Sequence, residues 1–531
     1  MIEVLDQALD AFREAVGPEY VIADEPTRQA YETATFETRQ RIPAIVRPGN
    51  VDELAECLRI ANRFRIPVYP ISTGLNIGYG SAVPTQDGSV ILEMKRMNRI
   101  LEFSEDLAYV TVEPGVTQRQ LYSFLREQNS GLWMDATGGP ADHSLIGNIA
   151  ERGFGHTPYA DHFANVGGME VMLPSGERFH TGFGRYPNAK AKGVYRWGVG
   201  PYLDGLFTQS NLGIITQATI WLMPAPEYFQ MFFFSVAQYE QLAELIDLLR
   251  PLRLDGTIDS AMHIGNDHKV LSSIRRYPWE MTEGQTPLPQ DVLAHFANSW
   301  DFGAWNASGA LYGTRAEVAA ARRRIKKQLR GRVEKLRFLD TRGLWIADRL
   351  KKTYHRLTGV NLPEMLKILK PVFGMTSGVP TDEMLPSTYW RKPGAVPVSP
   401  DPNRDRCGLI WLAPVAPTRG ESVMKIWNIT RDLITGFGFE PAVSITLITP
   451  RALDCVISIS YDRDVIGEDE RALQCQKELL LKLADAGFYP YRLGVQSMGI
   501  LPAPTASYMD LMKETKMLFD PNQILAPGRY E

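Results

Sequence analysis

The stretch "YPISTGLNIGYGSAV", Tyr69–Val83, sets three glycines, Gly74, Gly78 and Gly80, between the β-rich runs "RIPVYP" and "GSVILEM". Glycine reaches backbone angles closed to other residues and leaves room for a phosphate oxygen beside the N–H groups, so such a loop is a turn or a phosphate cradle. Upstream, "IPAIVRP" reads as a strand, "NVDELAECLRIANRFR" as a helix capped by Asn50 or Asp52, and "IPVYPIS" as a second strand. The loop therefore belongs to an α/β unit. Neither it nor the second glycine-rich segment, "ATGGPADHSLIGNIAERGFG", matches GxxxxGK[ST] or carries GxGxxG directly after a strand. A P-loop kinase and a Rossmann dehydrogenase are both disfavoured.

Working outward, "LAYVTVEPG" reads as a strand, "TQRQLYSFLREQN" as a helix, and "GGMEVMLPSGERFHTG" as a hairpin closed by its "PSG" turn. "LFTQSNLGIITQATIWLMPAPE" is strand-like and ends at a proline pair, which places a boundary near Ala225. The two glycine-rich loops and "FTQSNLGIITQ" read as three walls of one extended pyrophosphate site, and point to a dinucleotide such as FAD. From Tyr228 the texture changes to strand–helix units with charged helices. "LPSTYWRKPGAVPVSPDPNRDRCG" reads as a long ordered loop, "GLIWLAPVAP" and "VSITLITPRALDCVISISYD" as strands, and "MDLMKETKMLFDPNQILAPGRY" as a helix stopped by Asp520 and Pro521.

A chain of 531 residues implies two or three domains sharing an interface. Its formal net charge of −4 forms no basic patch, and "RAEVAAARRRIKKQLRGRVEKL" reads as a solvated helix face, so no nucleic-acid partner is expected. The N-terminal "MIEVLDQALDAFREAVG" is an amphipathic helix rather than a signal peptide, and no run is apolar enough to span a bilayer. A soluble, cytoplasmic protein is the expectation. Cys57, Cys407, Cys455 and Cys475 lie far apart without CxxC spacing, which predicts buried free thiols and no metal site.

"STGLNIGYGSA", "GNIAERGFGHTPYADHF", "GGMEVMLPSGERFHTGFG", "GPYLDGLFTQSNLGIITQATIWLMP", "YPYRLG" and "LFDPNQILAPGR", in this order, resemble the vanillyl-alcohol oxidase family, which includes the p-cresol methylhydroxylase flavoprotein and the eugenol oxidases. The resemblance runs from about Ile42 to Arg529. It implies an α+β, two-domain FAD-binding fold with a cap (substrate) domain over the flavin. The FAD-binding domain would span residues 1–225, the cap 226–495, and the segment 496–531 would return to the FAD-binding domain. Cofactor contacts implied by the resemblance are Ser72, Thr73, Gly74, Leu75, Asn76, Gly78 and Tyr79 in the first loop, and Gly147, Asn148, Arg152, Gly153, Gly155, His156 and His162 in the second. Gly213, Ile215 and Arg529 complete them.

The resemblance also implies a substrate class, para-substituted phenols, held as phenolates by Tyr79, Tyr491 and Arg492. An anion in a dry pocket needs such donors and positive charge. Oxidation would remove a benzylic hydride to flavin N5 and leave a p-quinone methide. For the acid/base group three candidates stand, Asp142, His143 and Asp454. For the flavin tether, Tyr389 lies four residues ahead of Pro393, as the family's tether tyrosine precedes a proline, and non-covalent FAD is the alternative; the family's tether histidine position carries Leu409. Oxygen or a separate cytochrome is the expected electron acceptor, since the chain has no CxxCH motif. A homodimer or larger homo-oligomer is expected. Competing readings are an FAD-linked 2-hydroxy-acid dehydrogenase, which does not need the two tyrosines and the arginine, and a non-catalytic nucleotide-binding protein.

Overall fold

In the computed structural model, which describes residues 2–358 and 361–531, the chain builds three main sheets. The first contains β1 (Val21–Ile22), β2 (Ile45–Val46), β3 (Val68–Ile71) and β4 (Val90–Glu93) in the order β1-β2-β4-β3, with β2 and β3 both parallel to β4. The helix Val51–Phe64 makes the crossover between β2 and β3. Its N-cap Asn50 accepts from the N–H groups of Asp52 and Glu53, a contact worth about 1 kcal/mol, and its apolar face buries Leu54, Leu58 and Ala61. The strand read across "IPAIVRP" is reduced to Ile45–Val46, because Pro43 and Pro48 have no N–H to give a ladder.

The chain's C-terminal segment closes this sheet. The helix Ala506–Phe519 stops at Asp520, whose carboxylate pairs with Lys516 and accepts from the N–H groups of Ile524 and Leu525. That turn lays the tail parallel to β3, with backbone hydrogen bonds from Val68 to Ile524 and from Ala526 to Val68.

The second sheet joins β5 (Ile100–Ser104), β6 (Tyr109–Val112), β8 (Val166–Met172), β9 (Arg178–His180) and β10 (Ile214–Trp221) in the order β5-β6-β10-β8-β9. Beside it β7 (Leu132–Trp133) pairs with β11 (Met223–Pro224). The boundary placed near Ala225 falls just after β11, before the third sheet begins at Tyr228.

That third sheet holds β12 (Tyr228–Val236), β13 (Met262–Asn266), β14 (Trp305–Gly313), β15 (Glu334–Leu339), β16 (Cys407–Leu412), β18 (Ala442–Leu447) and β19 (Ala452–Asp462). Their order is β15-β12-β14-β13-β18-β19-β16, and β17 (Val415–Pro417) pairs with β19. Side-chain alternation gives the sheet two different faces. Ile264, Ala307, Ile445, Cys455 and Ile457 join the main core, with Trp427 and Leu479 from the helices Gly420–Gly436 and Glu468–Asp485. Their strand neighbours His263, Ser308, Thr446 and Val456 face a cavity.

The four cysteines are buried and free. The basic helix, Arg315–Leu329, is capped reciprocally by Thr314 and Glu317 and buries Val318, Ile325 and Leu329 while its charges stay outside. Among the described residues no helix is long and apolar enough to cross a membrane.

Candidate active site

The cavity has a volume of about 580 Å³, in the range of small-molecule and cofactor sites. One wall is the first loop. The backbone N–H groups of Thr73, Gly74, Leu75 and Asn76 find no acceptor among the described residues, so successive donors line a concave strip. Such a nest suits an anion. Close packing shapes the rest of this wall: a Cβ on Gly213 would come within 2.7 Å of Val171, and one on Gly153 within 2.4 Å of the Asn148 amide. Arg529, delivered by the C-terminal tail, closes the strip while its guanidinium pairs with Glu151 and bonds the Tyr69 hydroxyl. Free donors in a narrow, side-chain-poor groove fit the pyrophosphate of a dinucleotide.

Of the cofactor contacts read from the sequence, thirteen line the cavity: Ser72, Thr73, Gly74, Leu75, Asn76, Tyr79, Gly147, Asn148, Gly153, His156, Gly213, Ile215 and Arg529. Five stand elsewhere, each for a local reason. Gly78 (φ +78°) is packed under Trp411, whose ring a Cβ would meet at 2.0 Å. Arg152 bonds Thr208 on the surface. Gly155 makes room for Asp135, whose carboxylate would lie 1.5 Å from a Cβ. His162 is held between Asp135 (2.7 Å) and Asn148 (2.6 Å). Tyr389 is buried outside the cavity wall and donates its hydroxyl to Asp405 at 2.6 Å. A tether there is therefore not supported, and Leu409, at the histidine position, lines the cavity as an aliphatic side chain.

Tyr79, Tyr491 and Arg492 come together at one end. The Arg492 guanidinium carbon lies 3.7 Å from the centre of the Tyr79 ring and 5.5 Å from that of Tyr491. Backbone bonds fix this meeting: Val495 donates to the Tyr79 carbonyl, and Tyr491 donates to Ala413. Gly80 (φ +117°) permits the approach, because a Cβ would strike Val495 at 2.3 Å. Burial works against the charge on Arg492, but the neighbouring Tyr491 and Tyr79 more than compensate and its pKa is raised. Both tyrosines are held neutral, pushed up by burial against the opposing pull of Arg492. The Arg492 Nε is buried without a partner among the described residues.

The acid/base candidates separate cleanly. Asp142 points to solvent and pairs with Arg119, so it does not reach the cavity; its neighbour His143 does. A histidine bonded through Nε2 to the Leu75 carbonyl donates there, and burial lowers the His143 pKa to about 4, so the ring is neutral. Asp454 is fully buried, with both carboxylate oxygens unpartnered among the described residues. Burial, opposed only by Arg492, raises its pKa well above the usual carboxylate range. At the Arg492 end burial thus favours its protonated form.

Several residues here escaped the sequence reading. Asp135 accepts from the N–H groups of His156 and Thr157 and pairs with His162; burial opposes its charge, but these bonds outweigh it and keep its pKa low. The His263 ring lies 4.4 Å from that of His156 and tilted to it, with its Nδ1 3.1 Å from the Thr446 hydroxyl and its Nε2 without a partner among the described residues. Lys269 and Trp411 complete that part of the wall. No local motif marks them, because they come from a loop, two strands that do not pair with each other and a helix, which meet only in the folded chain.

Residues 42–182, which supply both glycine-rich loops, match the family model "FAD binding domain"; the chain is a flavin-dependent oxidoreductase by family, and its dinucleotide is FAD. Over its whole length the chain belongs to the vanillyl-alcohol oxidase/p-cresol methylhydroxylase family. It is 31% identical over 529 residues to the 4-cresol dehydrogenase [hydroxylating] flavoprotein subunit of Pseudomonas putida, covering 99% of this chain and 95% of that one. It is 44% identical over 528 residues to the 1'-carboxy-chondrochloren decarboxylase of Chondromyces crocatus, covering 99% and 97%. The crystal structure of p-cresol methylhydroxylase with substrate bound superposes with a TM-score of 0.89 at 29% identity, covering 100% of this chain and 97% of that one.

Proposed function

We propose that this flavoenzyme oxidises para-substituted phenols, 4-alkylphenols, 4-alkylguaiacols or 4-hydroxybenzyl alcohols, which it binds as phenolates at Tyr79, Tyr491 and Arg492. The observation that carries this reading is the meeting of one guanidinium with two tyrosine rings at a buried end of the cavity, with the Arg492 Nε and both Asp454 oxygens left without partners among the described residues. Burial favours the uncharged forms of Asp454 and both tyrosines while the Arg492 pKa is raised, so a phenolate would bring the negative charge this end lacks. When bound, FAD supplies the two-electron oxidation by accepting the benzylic hydride at N5.

The chain's own residues do the rest. The Tyr79 and Tyr491 hydroxyls donate to the phenolate oxygen, and Arg492 holds the charge that favours loss of the phenol proton. The oxygen's electron density then pushes the hydride from the benzylic carbon of the para substituent and leaves a p-quinone methide. Asp454, keeping its proton, avoids cancelling that positive charge, and belongs to the phenol end rather than to the benzylic carbon. His143, one of three cavity imidazoles with a lowered pKa beside His156 and His263, is available to guide water or a side-chain group to the quinone methide. The relative named a decarboxylase widens the range of substrates on this scaffold, so what lies beyond the benzylic carbon falls to the far end of the cavity.

The test is anaerobic mixing of the purified holoenzyme with 4-propylguaiacol and with its O-methyl ether. Flavin bleaching by the phenol alone supports the phenolate site, and equal bleaching by both removes it. Reoxidation by air or only by an artificial acceptor then separates oxygen from a cytochrome-type partner. Yellow colour remaining with acid-precipitated protein reports a covalent tether, and colour left in the supernatant reports non-covalent FAD.

A further inference from the structure

The cavity floor is laid out by strand register. Ser308, His263 and Thr446 line it side by side across β14, β13 and β18, and the same row continues to Asp454 on β19, which is buried and not part of the lining. Two residues along on the same face, Gly265 pairs with Ser444, and Ser444 with Val456. Gly265 leaves this second row bare, and the stem of Lys269 fills the space, since a Cβ on Gly265 would touch it at 3.6 Å. The lysine comes from the helix Asp267–Ile274, whose N-cap Asn266 accepts the Lys269 N–H and so fixes the side chain's starting point.

Its ammonium group has an aromatic neighbour and no counter-ion. The Nζ lies 4.8 Å from the centre of the Trp411 ring, and among the described residues no carboxylate is within ion-pairing distance. Asp267, two residues away, is already bound to Tyr239 and His268. Burial alone lowers the Lys269 pKa, to about 8, with no charged group opposing it. An interior ammonium without an anion is costly, and a cation–π contact of about 0.5–2 kcal/mol offsets only part of that cost. A core lysine would have been replaced or paired; one that faces a substrate cavity is completed by what enters the cavity.

We propose that Lys269 binds a carboxylate on the para substituent of the substrate, which makes the substrate class a 4-hydroxyaryl compound with an acidic side chain. This rests on the phenolate reading of the Arg492 end. On the sheet lattice, strands ~4.8 Å apart and residues ~3.4 Å along a strand put the backbone of Asp454 roughly 12 Å from that of Gly265. A phenol ring with a short acidic chain bridges that span once Arg492 and Lys269 reach inward.

The experiment measures binding to the oxidised holoenzyme through the change in flavin absorbance, using ligands that have no benzylic sp³ hydrogen to lose: trans-4-hydroxycinnamate and its primary amide. Wild type is expected to prefer the acid by about tenfold or more, the scale of a charge-assisted hydrogen bond. Lys269→Met should abolish the preference while leaving the amide's Kd and the flavin content unchanged, and Lys269→Arg should keep it. Equal binding of acid and amide by wild type overturns the proposal and leaves the phenol reading standing. So does a Lys269→Met variant that weakens both ligands alike or sheds flavin, which would assign the lysine to the cofactor or the fold. If neither ligand perturbs the flavin, the phenol reading falls and this proposal with it.

Discussion

The two ends of the cavity each present a buried cation, and they treat it in opposite ways. Arg492 is stacked on Tyr79, flanked by Tyr491 and left uncancelled by a protonated Asp454, so its charge is reinforced. Lys269 rests on one indole, and burial brings its pKa to about 8, so its charge is conditional. A guanidinium cannot be deprotonated in a protein, whereas an ammonium on a flexible stem shifts readily. The fixed charge sits where every substrate of the proposed class has the same group, the phenol oxygen. In the proposed binding mode the adjustable one meets the part in which substrates differ. Division of labour of this kind lets one residue serve the chemistry while another selects the side chain.

Removing the fixed charge is the most direct way to break the contrast. Arg492→Ala should slow anaerobic flavin reduction by a phenol about 10²–10³-fold, the cost of deleting a preorganised group aimed at developing charge. Arg492→Lys should recover part of that rate, since charge returns without the planar stacking surface. Wild-type reduction by Arg492→Ala in stopped flow would show that the arginine is structural and leave the phenolate to some other group. A smaller effect, about 10–100-fold, is expected for Tyr79→Phe and for Tyr491→Phe, each of which removes one donor to an anion. In the proposed binding mode both hydroxyls donate to one oxygen, so the double variant should lose less than the sum of the two singles, and strict additivity would place them on different atoms.

The contrast also marks what could be read before any coordinates. Tyr79, Tyr491 and Arg492 sit in glycine-rich and terminal motifs whose order survives in the sequence, and the α/β period around the first loop announced β2, β3, β4 and the crossover helix. Lys269 was hidden in "HIGNDHK", where nothing local distinguishes a cavity residue from an exposed lysine at the start of a helix. Its meaning appears only when Gly265 opens a gap beneath it and register sets His263 beside Ser308 and Thr446. The residues that the fold places away from the cavity have the same origin. In "ADHS" consecutive residues face opposite ways, so Asp142 meets Arg119 in solvent while His143 enters the cavity. A glycine-rich motif says that something is packed close without naming it: the neighbour is Trp411 at Gly78 and Asp135 at Gly155, in neither case a phosphate. For Tyr389, a spacing to proline carried no information about which way the ring would turn.

A last effect, read in stability rather than in rate, probes the assumption on which the Arg492 end depends, that Asp454 keeps its proton. Its native pKa lies above that of the unfolded chain, about 3.9 for an aspartate. Above pH 3.9 the native state therefore holds a proton that the unfolded state has released, and stability is lost as pH rises toward the native pKa, by up to about 1.4 kcal/mol per pH unit. Below pH 3.9 both states are protonated and the difference vanishes. Asp454→Asn keeps a neutral side chain of the same shape and removes the linkage. Melting of the substrate-free holoenzyme, followed by flavin fluorescence, should then show two curves that nearly meet at pH 4 and separate by pH 8, with the asparagine variant the more stable. Parallel curves would mean that Asp454 is ionised and paired electrostatically with Arg492. The cluster would then be neutral rather than positive, a phenolate would find no uncancelled charge there, and Lys269 would become the only free cation facing the substrate among the described residues.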